Sequence, residues 1–126
     1  MSNIPSISIA GRRIAADAAP YIIAELSANH NGKLETALKI IEEAKKVGAD
    51  AIKLQTYTAD TITLNCDSDE FQIRGGLWDG QTLYQLYQEA HMPWAWHKPL
   101  FEHARKLGIT IFSSPFDNTA VDLLEG

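Results

Sequence analysis

The stretch Ala51-Ile52-Lys53-Leu54-Gln55-Thr56 (AIKLQT) decides the fold. Its length and apolar content suit a strand in a buried sheet, yet Lys53 and Gln55 interrupt the pattern. Side chains two apart in a strand share a face, so these two polar groups point one way and Ile52 and Leu54 the other. An ammonium buried without a partner is strongly destabilising. Ile52 and Leu54 are therefore expected to pack against helices. Lys53 and Gln55 are expected to face a polar cavity, with Lys53 unpaired and available to a phosphate or carboxylate.

Outward from this strand, the pattern alternates between strand-like and helical segments. On the amino side, YIIAEL (Tyr21–Leu26) is an apolar run of strand length, followed by turn residues in SANHNG. Leu34, Ala37, Leu38, Ile41, Ala44 and Val47 recur at helical spacing, and Gly48 is a natural stop. On the carboxyl side, a polar loop is predicted from Tyr57 to Gln81, with glycines at 75, 76 and 80. A short helical stripe follows at Leu83, Leu86, Tyr87 and Ala90, and a longer one at His97, Leu100, Phe101, Ala104 and Leu107. ITIFSS (Ile109–Ser114) reads as a further strand ended by Pro115, with Asp117 or Asn118 capping a last helix. SISIAGRRIA, in the first 20 residues, reads as a separate β-hairpin. Strands alternating with helices predict an α/β fold with a parallel sheet. Three such strands leave apolar surface uncovered, and a closed (β/α)₈ barrel needs roughly 250 residues. The 126 residues are therefore expected to be the N-terminal part of something longer.

Composition excludes several classes. A formal net charge of −5 argues against a general nucleic-acid or anionic-membrane binder. Cys66 is the sole cysteine, so no internal disulfide is possible and a reducing cytoplasm is the expected compartment. No apolar run approaches a membrane span, and the first residues lack the pattern of a secretory signal.

Parallel α/β sheets bind ligands at the carboxyl ends of their strands, and all three strands turn polar there. The candidates are Glu25 on the first, Lys53 and Gln55 on the second, and Ser113 and Ser114 on the third. A lysine among hydroxyls and amides suits a phosphate or carboxylate. Glu25 can accept from sugar hydroxyls or move a proton, and Gln55 offers both a donor and an acceptor. Plainer readings compete. Glu25 and Lys53 can form a structural ion pair, and the serines can be turn and cap residues. His30 lies in a turn-like NHNG, while His91, His97 and His103 lack ligand-like spacing. Trp78, in the glycine-flanked GGLWDG, is either packing or part of a loop that covers substrate.

At IAELSANHNG, GADAIKLQTYT and FSSPFD the chain resembles the sialic acid synthase family, and the segment GGLWDGQTLYQLYQEAHMPWAWH is most like its pseudaminic acid branch. The resemblance implies a TIM barrel followed by a small antifreeze-like domain, working as a homodimer. On that basis residues 1–20 are a hairpin extension. Residues 21–126 are the first three β/α units of a barrel that is incomplete in this chain. It implies condensation of phosphoenolpyruvate with an amino-sugar aldehyde, here a 2,4-diacetamido-2,4,6-trideoxy-altrose. The product would be pseudaminic acid, with release of phosphate. By motif matching, Glu25 falls on the active-site glutamate, Lys53 on the lysine that binds phosphoenolpyruvate, Gln55 on the substrate-site glutamine beside it, and Ser114 on the hydroxyl residue that contacts the phosphate. Ser113 is the weaker match. A divalent metal, Mn2+ or Mg2+, is implied, with ligands outside this segment, so the segment alone is expected to be inactive.

Three alternatives remain at this stage. The sugar can be that of an N-acetylneuraminate synthase. Lys53 can be the nucleophile of a Schiff-base aldolase. The chain can also bind a sugar or phosphate without turnover.

Overall fold

The computed structural model describes residues 3–126. Strands β1 (Ser6–Ile9) and β2 (Arg12–Ala15) pair antiparallel, with Ile9 opposite Arg12. Their two-residue turn places Ala10 at φ 49° and Gly11 at φ 81°, the positive-φ pair that matches the twist of a hairpin. The hairpin is tied to the rest of the chain through Arg12. Its guanidinium donates to the carbonyls of Ala19 and Pro20 at 3.2 and 2.9 Å, pairs with Asp50 and lies over the Tyr21 ring. Asp50 also accepts the Ile22 N–H at 2.7 Å. Since Asp50 immediately precedes the AIKLQT strand, the hairpin docks at the amino end of the sheet.

That sheet contains β3 (Ile23–Glu25), β4 (Ala51–Thr56) and β5 (Thr110–Pro115), all parallel, in the order β3-β4-β5. Helix α1 (Leu34–Lys46) connects β3 to β4. Helices α2 (Ala59–Ile62), α3 (Leu83–Ala90) and α4 (His97–Leu107) lie between β4 and β5, and α5 (Asn118–Glu125) follows β5. The helical stripes expected from the apolar spacing are where α1, α3 and α4 form, except that Val47 falls just past the end of α1 and is exposed. Asp117 caps α5, accepting the N–H groups of Thr119 and Ala120, and Gly108 ends α4 at φ 71°.

One face of the sheet carries the core. Leu26, Ile52 and Leu54 are fully buried with Ala37 and Ile41 of α1 and Leu100 and Ala104 of α4. The expectation for Ile52 and Leu54 therefore holds. Two local expectations differ. The first strand is the three residues Ile23–Glu25 rather than all of Tyr21–Leu26, because Tyr21 and Ile22 are engaged with Arg12 and Asp50. The loop from Tyr57 to Gln81 contains α2, whose Thr58 N–H is capped by Thr61 Oγ1 at 2.9 Å, and a 3₁₀ turn at Asp69–Phe71. Among the described residues no helix is long and apolar enough to cross a membrane.

Candidate functional site

The face opposite the core holds four of the five expected residues. In the parallel register Glu25 pairs with Lys53, Lys53 with Phe112, and Gln55 with Ser114. Partners in register share a face, so Glu25, Lys53, Gln55 and Ser114 are gathered at the carboxyl ends of adjacent strands. All four retain solvent access, whereas Ile52 and Leu54 behind them have none.

Lys53 is not unpaired. Its Nζ donates to Glu25 Oε1 at 3.0 Å, with the two side chains 27% and 49% exposed. The cause is the register: neighbouring strands lie about 4.8 Å apart, which brings in-register long side chains of opposite charge together. A pair this solvated contributes about 0–1 kcal/mol, so it does not lock the ammonium away. An ammonium carries three N–H donors, and among the described residues Glu25 is its one hydrogen-bonded acceptor. The arrangement can hold an anion on Lys53 while Glu25 accepts from a hydroxyl. Gln55 and Ser114 add neutral donors alongside.

Ser113 stands apart from these four. It is in register with Leu54 on the core face, and its Oγ lies 2.6 Å from Thr56 Oγ1. Thr56 Oγ1 is in turn 2.7 Å from His97 Nε2. Thr56 was not singled out by sequence reasoning, and His97 entered it only as a member of a helical stripe without ligand-like spacing. The available signal was Thr56 itself, a hydroxyl two residues beyond Leu54 and therefore on the apolar face.

The histidines do not assemble. His30 is 1% exposed. Its Nδ1 accepts the Gly32 N–H at 3.0 Å, which leaves Nε2 protonated to donate to the Ala90 carbonyl at 3.2 Å. Both ring nitrogens are thus occupied, and burial pushes the imidazole pKa below its ordinary value. His91 contacts the Gln88 carbonyl, and His103 lies 3.0 Å from Glu42. Among the described residues no group of three His, Cys, Asp or Glu side chains is placed to hold a metal ion.

Trp78 and the Asn31–Gly32 turn border a cavity of about 270 Å³, with His30 and Glu89 in its wall. Gly75, Gly76 and Gly80 on either side of Trp78 all have positive φ. A cavity of about 770 Å³ lies elsewhere, between α4 and α5, on the helix side of the sheet. It holds none of the strand-end residues.

The NeuB family model matches residues 40–126. The chain belongs to the NeuB family. It is 58% identical over 105 residues to a pseudaminic acid synthase of Campylobacter jejuni, covering 83% of this chain and 31% of the relative. It is 55% identical over 106 residues to a pseudaminic acid synthase of Helicobacter pylori, covering 84% of this chain and 31% of the relative. The fold is similar to a crystal structure of N-acetylneuraminic acid (sialic acid) synthetase from Leptospira borgpetersenii. The TM-score is 0.75 at 27% identity, covering 97% of this chain and 38% of that one. The chain thus spans about a third of the length of the curated NeuB relatives it matches.

Proposed function

We propose that this chain supplies the first three β/α units of a TIM-barrel synthase. The reaction condenses phosphoenolpyruvate with 2,4-diacetamido-2,4,6-trideoxy-altrose and water to give pseudaminic acid and phosphate. The observation that carries the reading is the alignment of Glu25, Lys53, Gln55 and Ser114 on one face, at the carboxyl ends of three adjacent parallel strands. In a barrel that face points inward, and ligands bind at those ends. The identity of 55–58% to pseudaminic acid synthases supports the choice of sugar.

In this reading Lys53 binds the anionic phosphoenolpyruvate, Gln55 and Ser114 donate to its oxygens, and Glu25 contacts a sugar hydroxyl and assists proton transfer. The methylene carbon of phosphoenolpyruvate attacks the aldehyde carbon, forming the new C–C bond as the C=O π bond breaks and the aldehyde oxygen takes up a proton to become a hydroxyl. The cation left at the phosphate-bearing carbon takes up water and loses a proton. The bond from that carbon to the phosphate oxygen then breaks, leaving the keto acid and inorganic phosphate. The divalent ion, manganese or magnesium, is proposed to be held by residues outside those described. The working form is proposed to be a homodimer in the cytoplasm. The engagement of Lys53 Nζ by Glu25 Oε1 at 3.0 Å supports an anion-binding role over that of a free nucleophile in a Schiff-base aldolase.

The test is phosphate release by the full-length protein, given phosphoenolpyruvate and each sugar in turn. Turnover with the diacetamido-altrose is expected. Turnover with N-acetylmannosamine alone would overturn the choice of branch, and trapping of a lysine adduct by borohydride would favour the aldolase.

A further inference from the structure

Behind Gln55 and Ser114, on the core side of the same strands, lies a hydrogen-bonded chain whose direction is fixed by its ends. His97 Nδ1 is 3.2 Å from the Trp94 carbonyl oxygen. A carbonyl only accepts, so Nδ1 carries the proton. The ring is 5% exposed, and that burial favours its neutral form. A neutral imidazole protonated at Nδ1 has a bare Nε2, which only accepts. Thr56 Oγ1, 2.7 Å away, must therefore donate to it. With its single proton committed, Thr56 accepts from Ser113 Oγ at 2.6 Å. The chain runs from Ser113 through Thr56 and His97 to the Trp94 carbonyl, with every proton assigned.

Its location gives it a function. Thr56 directly follows Gln55, and Ser113 directly precedes Ser114. The contact joins the strand ends where the β4–β5 ladder finishes, beside its last rung from the Phe116 N–H to the Thr56 carbonyl at 3.1 Å. His97 is the first residue of α4, and the nearby Trp94 indole N–H donates to the Tyr57 carbonyl at 3.3 Å. The start of α4 is thus tethered at two points to the end of β4.

We infer that Ser113, Thr56 and His97 form a positioning clamp that sets the spacing of Gln55 and Ser114 across the anion site, an inference that rests on the phosphoenolpyruvate-binding reading of that face. All three lie on the core side of the strands, away from Lys53 and Gln55. They act through the backbone, since a shift of either strand end moves the neighbouring side chain on the opposite face. Pre-organised sites lose affinity steeply when their groups drift.

The experiment measures the phosphoenolpyruvate Kd of the full-length protein by titration calorimetry, at a temperature where circular dichroism shows every variant folded. Thr56→Val keeps the shape and removes the hydroxyl, and it is expected to raise Kd on the order of 10-fold. Thr56→Ser restores the hydroxyl and is expected to return Kd close to wild type. Ser113→Ala should weaken binding in the same direction. The double variant Thr56→Val/Ser113→Ala should be less than additive, because both remove one contact. Should Thr56→Val fail to fold, Ser113→Ala, at the open end of the chain, carries the comparison. Wild-type Kd in folded Thr56→Val and Ser113→Ala would overturn the clamp. A wild-type protein that binds no phosphoenolpyruvate would instead overturn the reading of the site. Nitrogen-15 shifts of the His97 ring provide a readout independent of ligand. The Nδ1–H tautomer is expected, and the Nε2–H tautomer would overturn the assigned direction.

Discussion

Replacing Lys53 with alanine separates binding from folding at the centre of the site. The Lys53–Glu25 pair is 3.0 Å long, but its side chains are 27% and 49% exposed. Its loss is expected to cost the fold no more than about 1 kcal/mol. A hydrogen bond from a charged group to a bound anion contributes more, about 1.5–3 kcal/mol. At about 1.4 kcal/mol per decade, Lys53→Ala is expected to raise the phosphoenolpyruvate Kd about 10- to 150-fold. The Glu25 carboxylate, left without its cation, adds repulsion in the same direction. Calorimetric titration of the full-length protein, paired with thermal melts, reads both quantities. Glu25→Gln is the companion variant: it keeps the side-chain shape and removes the charge next to the anion. Its phosphoenolpyruvate binding should be no weaker than wild type while turnover falls. Unchanged affinity in Lys53→Ala would refute the assignment of Lys53. If Lys53→Ala also lost well over 1 kcal/mol of stability, the pair would be a structural tie.

Two further outcomes follow from the geometry. His30 and His97 are both buried, and desolvation lowers their pKa values from the ordinary 6.5. The unfolded chain therefore takes up protons that the folded chain refuses as pH falls below 6.5. Stability contributed above that pH is lost going down, by up to about 1.4 kcal/mol per pH unit for each ring, until the folded pKa is passed. Urea melts of the full-length protein at pH 7.5, 6.5 and 5.5 test this, and equal stability at the lower two values would refute it. Ala10, at φ 49° in the hairpin turn, occupies a conformation that asparagine tolerates better. Ala10→Asn is expected to stabilise by about 1 kcal/mol, and a lower melting temperature would contradict the turn geometry.

The legible parts of this chain were those set by local periodicity. Alternation in AIKLQT separated Ile52 and Leu54 from Lys53 and Gln55 correctly, because that division needs no knowledge of neighbours. The stripes of α1, α3 and α4 were legible for the same reason. Helix α2 was not, since four residues hold barely one turn of pattern. The contact between Lys53 and Glu25 stood in the sequence only as one of two competing readings, because the β3–β4 register that decides it is not declared by residues 28 apart. Ser113 and Ser114 show a different kind of limit. Adjacent strand residues face opposite sides, so only one of them can share the face of Lys53 and Gln55. The alternation rule that placed Lys53 and Gln55 already implied this. The β4–β5 register decides which, putting Ser114 beside Gln55 and Ser113 beside Leu54.

That division also explains why the end of β4 is polar on both sides. Further back, Ile52 and Leu54 hold the strand by burial alone, which is strong but non-directional. At Thr56 the strand leaves the sheet, and apolar contact by itself would let its end slide against β5. A hydroxyl held between His97 Nε2 and Ser113 Oγ resists that motion, because each hydrogen bond has a preferred length and angle. Such groups are destabilising in a core unless every partner is supplied, and here each one is. The two faces therefore have opposite requirements. The core face must be dry and fully satisfied to fix the backbone. The opposite face, which we propose binds the anion, must keep a solvated Lys53–Glu25 pair weak enough for that anion to compete for the ammonium. Exchanging the two arrangements would leave a rigid site with no free donor, or a free donor with no fixed position.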